Sequence, residues 1–134
     1  IKEAVADVAR VRELLAACGP RFDVLSGDDA TAREAVLAGA RGVISVTANV
    51  APRAMSEMMA AALAGDAPQA AALDGPLAGL HEALFVEGNP IPVKWVLRQM
   101  GLIGEGIRLP LTPLSERFHV RLTEAIRRAG LQAA

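Results

Sequence analysis

The sequence contains few aromatic residues and almost no cysteine. Aromatic residues make up 3% of its 134 residues and tyrosine is absent, although 52% of the residues are hydrophobic. A hydrophobic core must therefore be built from alanine, leucine, valine, isoleucine and methionine. The single cysteine, Cys18, cannot form an internal disulfide. This usage favours a reducing compartment, so we expect a cytoplasmic protein.

A strong net charge is also missing. The 14 basic and 15 acidic residues leave a net charge of −1, and the two signs are interspersed along the chain. Such a balance provides no electrostatic surface for nucleic acid or for an anionic membrane. The apolar runs are far shorter than the roughly 20 residues that a membrane span requires. We therefore expect neither nucleic acid nor membrane as a partner.

Lysine is scarce among the basic residues. Only two of the 14, Lys2 and Lys94, are lysines, and the others are arginines. An amine can lose its proton and attack a carbonyl carbon, whereas a guanidinium stays protonated. An ordinary lysine, with a pKa of about 10.4, is almost entirely protonated at pH 7, so a nucleophilic amine needs desolvation or a neighbouring cation. Taken alone, Lys2 is better explained as a solvated residue near a terminus.

The first half of the chain alternates between short β-rich segments and amphipathic helices. Parallel strands joined by crossover helices are the natural solution for this alternation. In one of the helices we expect a buried stripe formed by Met55, Met58, Met59, Ala62 and Leu63. The predicted strands end at Lys2, at Ser26 (residues 22–26) and near Val46 (residues 42–47), and the predicted helices cover residues 7–18, residues 29–38 and the segment from Pro52.

After Gly65 the pattern becomes helical. A break is expected at Gly75–Pro76, and Ser115 is expected to cap the last helix. The sequence thus predicts βα units over residues 1–64 and a helical subdomain over residues 65–134. Three parallel strands would leave two unpaired sheet edges. The sequence also begins without methionine, at the end of a predicted strand. We therefore expect a longer protein in which the sheet continues into a closed barrel.

Polar residues follow the predicted strands where the chemistry of parallel α/β proteins is located. Gly27 is interpreted either as a turn residue or as a point of close backbone approach. Asp28 and Asp29 are expected to cap a helix rather than to act as an acid–base pair. For Thr47 and Asn49 the cap is likewise preferred to a ligand role.

The two histidines do not form a recognisable site. His81 and His119 lie far apart in helical segments, without a carboxylate or cysteine at ligand spacing, so no metal site is predicted. Glycine-rich dinucleotide and phosphate motifs are absent, as is a nucleophile elbow.

Five segments of the chain carry a family resemblance. They are Ile1–Ala4, Leu25–Ala30, Gly42–Asn49, Leu84–Trp95 and Leu109–Leu114. In this order and spacing they resemble the dihydrodipicolinate synthase family of pyruvate-dependent class I aldolases. The resemblance implies an α/β fold, the C-terminal part of a (β/α)8 TIM barrel, from the end of strand six to helix eight. A C-terminal helical subdomain follows, and the family is usually homotetrameric.

The resemblance also assigns roles to residues. Lys2 matches the lysine that forms a Schiff base with pyruvate, and Ile44 matches a residue that lines the pyruvate pocket through its main chain. Gly27 and Asn89 match positions near that pocket. The implied reaction condenses pyruvate with aspartate 4-semialdehyde to 4-hydroxy-tetrahydrodipicolinate, a step of lysine biosynthesis. No cofactor or metal is expected, because the protonated imine serves as the electron sink.

The match has one departure and one gap. The family commonly has a Thr-Gly-Asn sequence after Lys-Glu-Ala, where this chain has Val5-Ala6-Asp7. The family's tyrosine, threonine pair and substrate-binding arginine precede the matching segment. The resemblance therefore implies that an N-terminal half-barrel is a required partner.

Two alternatives remain at this point. A sibling aldolase, such as an N-acetylneuraminate lyase, would keep Lys2 but should differ around Ser26–Asp29 and Asn89–Trp95. A non-catalytic half-barrel, acting only in assembly, is the second alternative.

Overall fold

The structure, a computed structural model, describes residues 1–132. Within this range the chain forms two short strands, seven α-helices and three 3₁₀ helices. In chain order they are β1 (Lys2–Glu3), α1 (Val8–Cys18), β2 (Leu25–Ser26), α2 (Ala32–Leu37), a 3₁₀ helix (Thr47–Asn49), α3 (Pro52–Leu63), α4 (Ala67–Asp74), a 3₁₀ helix (Gly75–Leu77), α5 (Ala78–Ala83), α6 (Ile91–Gln99), a 3₁₀ helix (Glu116–Phe118) and α7 (His119–Arg128).

The strands are parallel and adjacent in the predicted order. Lys2 lies opposite Leu25 and Glu3 opposite Ser26, and Ser26 forms a parallel bridge to Val43. The ladder continues beyond the assigned strands, because the Gly27 N–H donates to the Glu3 carbonyl at 2.7 Å. On the other side of β2, the Ile44 N–H donates to the Ser26 carbonyl at 2.8 Å. Three chain segments thus form one parallel layer with β2 in the centre.

The third predicted strand is wrong in its extent. Only Val43 forms a bridge, and a 3₁₀ helix begins at Thr47, inside the predicted strand. The physical reason is the Asp29 carboxylate, whose Oδ2 accepts the N–H groups of Val46 at 2.9 Å and Thr47 at 3.0 Å. These contacts bend the chain out of the extended conformation before the predicted strand is complete.

The helices of the first half follow the expected pattern. Asp7 is the N-cap of α1, where its Oδ1 accepts the Ala9 N–H at 2.8 Å. Pro52 lies in the first turn of α3, and the expected methionine and alanine residues of its stripe are buried. Leu63 is the exception, because its side chain at the end of α3 is 56% exposed.

The helices of the second half pack onto the same core. The predicted break at Gly75–Pro76 is confirmed by the 3₁₀ helix between α4 and α5. Helix α4 packs against α3, and α5 packs against α7. Met58, Leu80 and Leu122, from α3, α5 and α7, are completely buried in one continuous cluster.

The predicted capping role of Ser115 is wrong. Its side chain forms no cap hydrogen bond to the following helix. The hydroxyl instead donates to Glu87 Oε1, and the Ser115 N–H donates to Glu87 Oε2 at 3.3 Å. The hydrogen bond from Ser115 holds the pKa of Glu87 below its ordinary value. The loop before α6 is thereby tied to the segment before α7.

The division at residues 64 and 65 stays a prediction, since one core spans both predicted parts. Residues 133 and 134 of the predicted subdomain lie outside the described residues. Among residues 1–132, no helix is both long enough and apolar enough to span a membrane.

Candidate active site

The register of the strands places three predicted site residues on one face of the parallel layer. Side chains alternate between the two faces of a strand, and residues paired across parallel strands share a face. Lys2 is paired with Leu25, so Gly27 lies on the same side as Lys2. Since Val43 is bridged to Ser26, the next residue, Ile44, returns to the face of Gly27.

The Lys2 side chain lies across the α-carbon of Gly27. A β-carbon built at position 27 would be 2.6 Å from Lys2 Cε and 3.0 Å from Lys2 Cγ. Carbon atoms that are not bonded to each other do not approach this closely. Gly27 therefore provides the space in which the aliphatic part of Lys2 crosses β2.

The neighbouring carboxylate is directed away from the lysine. Glu3 Oε2 lies 3.6 Å from Arg10 Nε, and Glu3 Oε1 accepts the Val5 N–H at 3.0 Å. Among residues 1–132, Lys2 takes part in no ion pair with a carboxylate. The Lys2 amine is thus not neutralised by a carboxylate of the described chain.

The desolvation that a nucleophilic Lys2 amine needs is not provided by the described residues. Lys2 is exposed, and the Ile44 side chain on the same face is 48% exposed. The reason is that β1 pairs on one side only, with β2, within the described residues. The face that carries Lys2 is therefore open.

The segment that departs from the family pattern forms a compact turn. The Asp7 N–H donates to the Val5 carbonyl at 2.8 Å, and Asp7 then caps α1. The turn connects the end of β1 directly to its helix without a glycine.

The two aspartates after β2 have different roles. Asp28 Oδ2 accepts the N–H of Thr31 at 3.0 Å and its hydroxyl at 2.7 Å, at the start of α2. The capping role predicted for Asp28 is wrong, because the N-cap of α2 is Thr31 and Asp28 holds that residue in the preceding turn. Asp29 does not cap α2, because its Oδ2 accepts the N–H groups of Val46 and Thr47 in the next segment. Asp29 is buried, and its Oδ1 has no hydrogen-bond partner within residues 1–132.

The capping roles predicted for Thr47 and Asn49 are wrong. Thr47 is completely buried, and its Oγ1 lies 2.8 Å from His81 Nδ1. The Asn49 amide donates to the Val46 carbonyl at 3.0 Å. The N-cap of the 3₁₀ helix is Val46, and Ser45 Oγ accepts the Ala48 N–H at 2.8 Å. Thr47 thus connects the turn to a distant helix.

His81 continues a polar chain, buried at Thr47 and His81 and part-buried beyond them, that was not predicted from the sequence. Its Nε2 lies 3.1 Å from Asp74 Oδ1, and Arg33 Nε donates to Asp74 Oδ2 at 3.0 Å. Burial opposes ionisation of Asp74, but the hydrogen bonds from His81 and Arg33 hold its pKa below the ordinary value. The available signal was the spacing of Asp74 and His81, seven residues apart in a helical region and therefore close to one face.

The C-terminal candidates lie in different surroundings. Asn89 occupies an exposed turn, and Pro90, not Asn89, is the N-cap of α6. Lys94, the other lysine, donates to the Gly106 carbonyl at 2.8 Å. The ring of His119 stacks on that of Trp95, with the ring centroids 4.9 Å apart. The proximity of Asn89 to the face of Lys2 stays a prediction.

Comparisons with known proteins agree over nearly the whole chain. The model of the Dihydrodipicolinate synthetase family matches residues 1–129. The 4-hydroxy-tetrahydrodipicolinate synthase of Pseudomonas aeruginosa is 59% identical over 133 residues, which cover 99% of this chain and 46% of that protein. The synthase of Alkalilimnicola ehrlichii is 58% identical over 130 residues, which cover 97% of this chain and 44% of that protein.

A solved structure shows the same backbone. The chloride-inhibited dihydrodipicolinate synthase of Acinetobacter baumannii, crystallised with pyruvate, has a TM-score of 0.96 and 54% identity to this chain. The match covers 98% of this chain and 45% of that one. The chain thus spans slightly less than half the length of the relatives that it matches.

These matches explain the open parallel layer. The fold is the C-terminal part of a (β/α)8 barrel, as predicted from the sequence. With a family model that matches residues 1–129 and relatives that agree in sequence and backbone, the chain belongs to the dihydrodipicolinate synthetase family.

Proposed function

We propose that this chain is the C-terminal part of a 4-hydroxy-tetrahydrodipicolinate synthase and that Lys2 is its Schiff-base nucleophile. One observation carries the proposal. Lys2 lies at the end of β1, on the face shared by Gly27 and Ile44, and its amine is not paired with a carboxylate of residues 1–132. An amine at this position is available to react with a carbonyl compound bound at the mouth of a barrel.

The proposed reaction begins at the Lys2 amine. The nitrogen attacks C2 of pyruvate, and the carbonyl oxygen leaves as water, which gives a protonated imine. Loss of a methyl proton moves the electron pair into the imine, and an enamine forms. The enamine carbon then attacks the aldehyde carbon of aspartate 4-semialdehyde, whose oxygen takes up a proton. The amino group of the semialdehyde then attacks C2 and displaces the Lys2 nitrogen, which closes the ring of 4-hydroxy-tetrahydrodipicolinate and returns the free Lys2 amine. No metal or cofactor is needed for these steps.

The other site residues serve the lysine and the substrate. Gly27 leaves space for the side chain of Lys2, so that the amine can extend along the face. The main chain at Ile44, held to Ser26 by a 2.8 Å hydrogen bond, forms one wall of the pyruvate pocket. Asn89 is proposed to lie at the rim. The proton relay and the arginine for the second substrate are proposed to come from the N-terminal half of the barrel, in a cytoplasmic homotetramer.

The test uses a chimera, in which this chain replaces the matching segment of the Acinetobacter baumannii synthase. Both halves of a barrel are then present. Incubation with pyruvate and borohydride should attach one reduced pyruvyl group to the peptide that contains Lys2. Lys2→Arg should abolish this labelling because a guanidinium stays protonated, and Lys94→Arg is the matched control that should keep it.

Two outcomes would contradict the assignment. Labelling of Lys94, or labelling that survives in Lys2→Arg, would show that Lys2 is not the nucleophile. Cleavage of N-acetylneuraminate, without condensation of pyruvate and aspartate 4-semialdehyde, would favour the sibling aldolase.

A further inference from the structure

A closed ring of polar contacts lies behind the candidate site. Thr47 donates its N–H to Asp29 and shares a hydrogen bond of its hydroxyl with His81. His81 contacts Asp74, which accepts from Arg33. Arg33, in the first turn of α2, follows Asp29 by four residues, so the backbone between them closes the chain of contacts into a ring. We call these five residues the polar ring.

The proton positions in the ring follow from the chemistry of its members. The Asp74 carboxylate can only accept, so His81 Nε2 must carry a proton and donate it. In a neutral imidazole Nδ1 accepts from the Thr47 hydroxyl, whereas in an imidazolium Nδ1 donates to the hydroxyl oxygen. Each contact of the ring has a matched donor and acceptor, and both Thr47 and His81 are buried.

The ring joins both turns that form the candidate site. Asp29 follows Gly27 by two residues, and Thr47 follows Ile44 by three. Through its Oδ2, Asp29 holds the backbone after Ile44 against the backbone after Gly27. Thr47 then fixes the same turn to α5 through His81. The direction of the main chain at Ile44 consequently depends on the side chain of His81, 37 residues later.

We propose that Thr47 is a positioning residue whose hydrogen bond to His81 holds the turn after Ile44 in the geometry that binds pyruvate. This inference rests on the proposed function, in which the main chain at Ile44 lines the pyruvate pocket. Thr47 itself is buried and does not touch the substrate. Loss of the hydrogen bond between Thr47 and His81 should weaken pyruvate binding more than it slows the chemical step, because Lys2 and β1 lie outside the polar ring.

The experiment measures steady-state kinetics of the chimera. Thr47→Val keeps the size and shape of the side chain but removes the hydroxyl. We expect the KM for pyruvate to rise about tenfold, with kcat changed by less than about threefold. Thr47→Ser restores the hydroxyl and should return the KM to within about threefold of the unsubstituted chimera.

Two substitutions of His81 separate the contacts of the ring. His81→Asn keeps an acceptor near Nδ1, for Thr47, and should leave the KM for pyruvate nearly unchanged. His81→Gln extends its amide toward Asp74 but not toward Thr47, and should raise the KM as Thr47→Val does. If Thr47→Val does not fold, His81→Gln supplies the same measurement. The double variant Thr47→Val/His81→Gln should raise the KM for pyruvate no further than either single variant does.

Ile126→Val is the control for general destabilisation. It trims a buried residue of α7 outside the ring and should lower the melting temperature without changing the KM. An unchanged KM in Thr47→Val, or an equal rise in Ile126→Val, would overturn the inference. If the unsubstituted chimera traps no pyruvate with borohydride, the proposed function fails first and the inference fails with it. If pyruvate is trapped and Thr47→Val binds it normally, only the positioning role fails.

Discussion

The side chain of Lys2 lies against the bare α-carbon of Gly27, and a β-carbon there would be 2.6 Å from Lys2 Cε. Gly27→Ala should therefore displace the lysine side chain, which is flexible, rather than the strand. In the chimera we expect the rate of borohydride trapping with pyruvate to fall by at least about tenfold, since misplacement of a reacting group by 1 Å can cost more than this. Circular dichroism should show an unchanged fold.

Gly79→Ala is the matched control for this substitution. Gly79 lies in α5, and a β-carbon there would meet no atom within 4 Å. Alanine in a helix is more favourable than glycine by roughly 0.5–1 kcal/mol, so this variant should be slightly more stable and equally reactive. Equal trapping rates for Gly27→Ala and the unsubstituted chimera would refute the steric role of Gly27.

A second prediction concerns the buried carboxylate of Asp29. Asp29→Ala leaves the N–H groups of Val46 and Thr47 without their acceptor, and an unsatisfied buried group costs roughly 1–3 kcal/mol. The melting temperature of the chimera should fall clearly. Asp66→Ala is the comparison, because Asp66 caps α4 at an exposed position and its loss should cost only about 1 kcal/mol. A smaller effect at Asp29 than at Asp66 would contradict the structure.

A third prediction concerns the pH dependence of stability. The pKa of Asp74 in the folded protein lies below its ordinary value of 3.8, so the folded state binds the proton less tightly than the unfolded state. The ionised carboxylate therefore contributes stability above about pH 4, and this contribution is lost as the pH falls through the folded pKa. Urea titrations should show the chimera more stable than its Asp74→Asn variant at pH 7.

The difference between the two proteins should shrink below pH 4. Asp23→Asn is the control, since within residues 1–132 the Asp23 carboxylate forms a single, exposed ion pair with Arg41 and should contribute little at any pH. A stability difference for Asp74→Asn that is the same at pH 7 and pH 2.5 would show that the charge of Asp74 is unimportant.

A fourth prediction concerns residues 1–134 expressed alone. Ile1, Val5 and Ile44 are 54%, 60% and 48% exposed, and β1 has an unpaired edge within the described residues. Exposed apolar surface next to an open strand edge promotes association. Sedimentation should therefore show concentration-dependent self-association and assays should show no synthase activity. A monomer of 14.0 kDa that unfolds cooperatively would contradict this expectation.

The sequence predicted those features that depend on local patterns. The helices were recognisable because their apolar residues recur with helical spacing, and Gly75–Pro76 marked a break that the structure contains. The parallel order of the strands followed from the alternation of strands and helices. The helix start close to Asp28 was also predictable, although the N-cap itself is Thr31, three residues later.

Features that depend on distant partners were not predictable. Thr47 is preceded and followed by residues typical of a helix start, so a cap was the reasonable local interpretation. Its actual partner, His81, is 34 residues away, and only the packing of α5 behind the turn brings them together. Asp29 was misassigned for the same reason, because its carboxylate accepts the N–H groups of Val46 and Thr47, which lie in the next segment. The openness of the Lys2 face likewise depends on which strands flank β1.

The closure of the polar ring on α2 has a mechanical consequence. Asp29, just before α2, and Arg33, in its first turn, make contacts to two different parts of the protein, the turn after Ile44 and the end of α4. A polar contact at only one of these two residues would leave a helix of six residues able to rotate about that contact. Two contacts four residues apart, about one helical turn, remove this rotation. The orientation of α2 is thus set by polar contacts at its entrance and by the burial of Ala35 and Val36 further along.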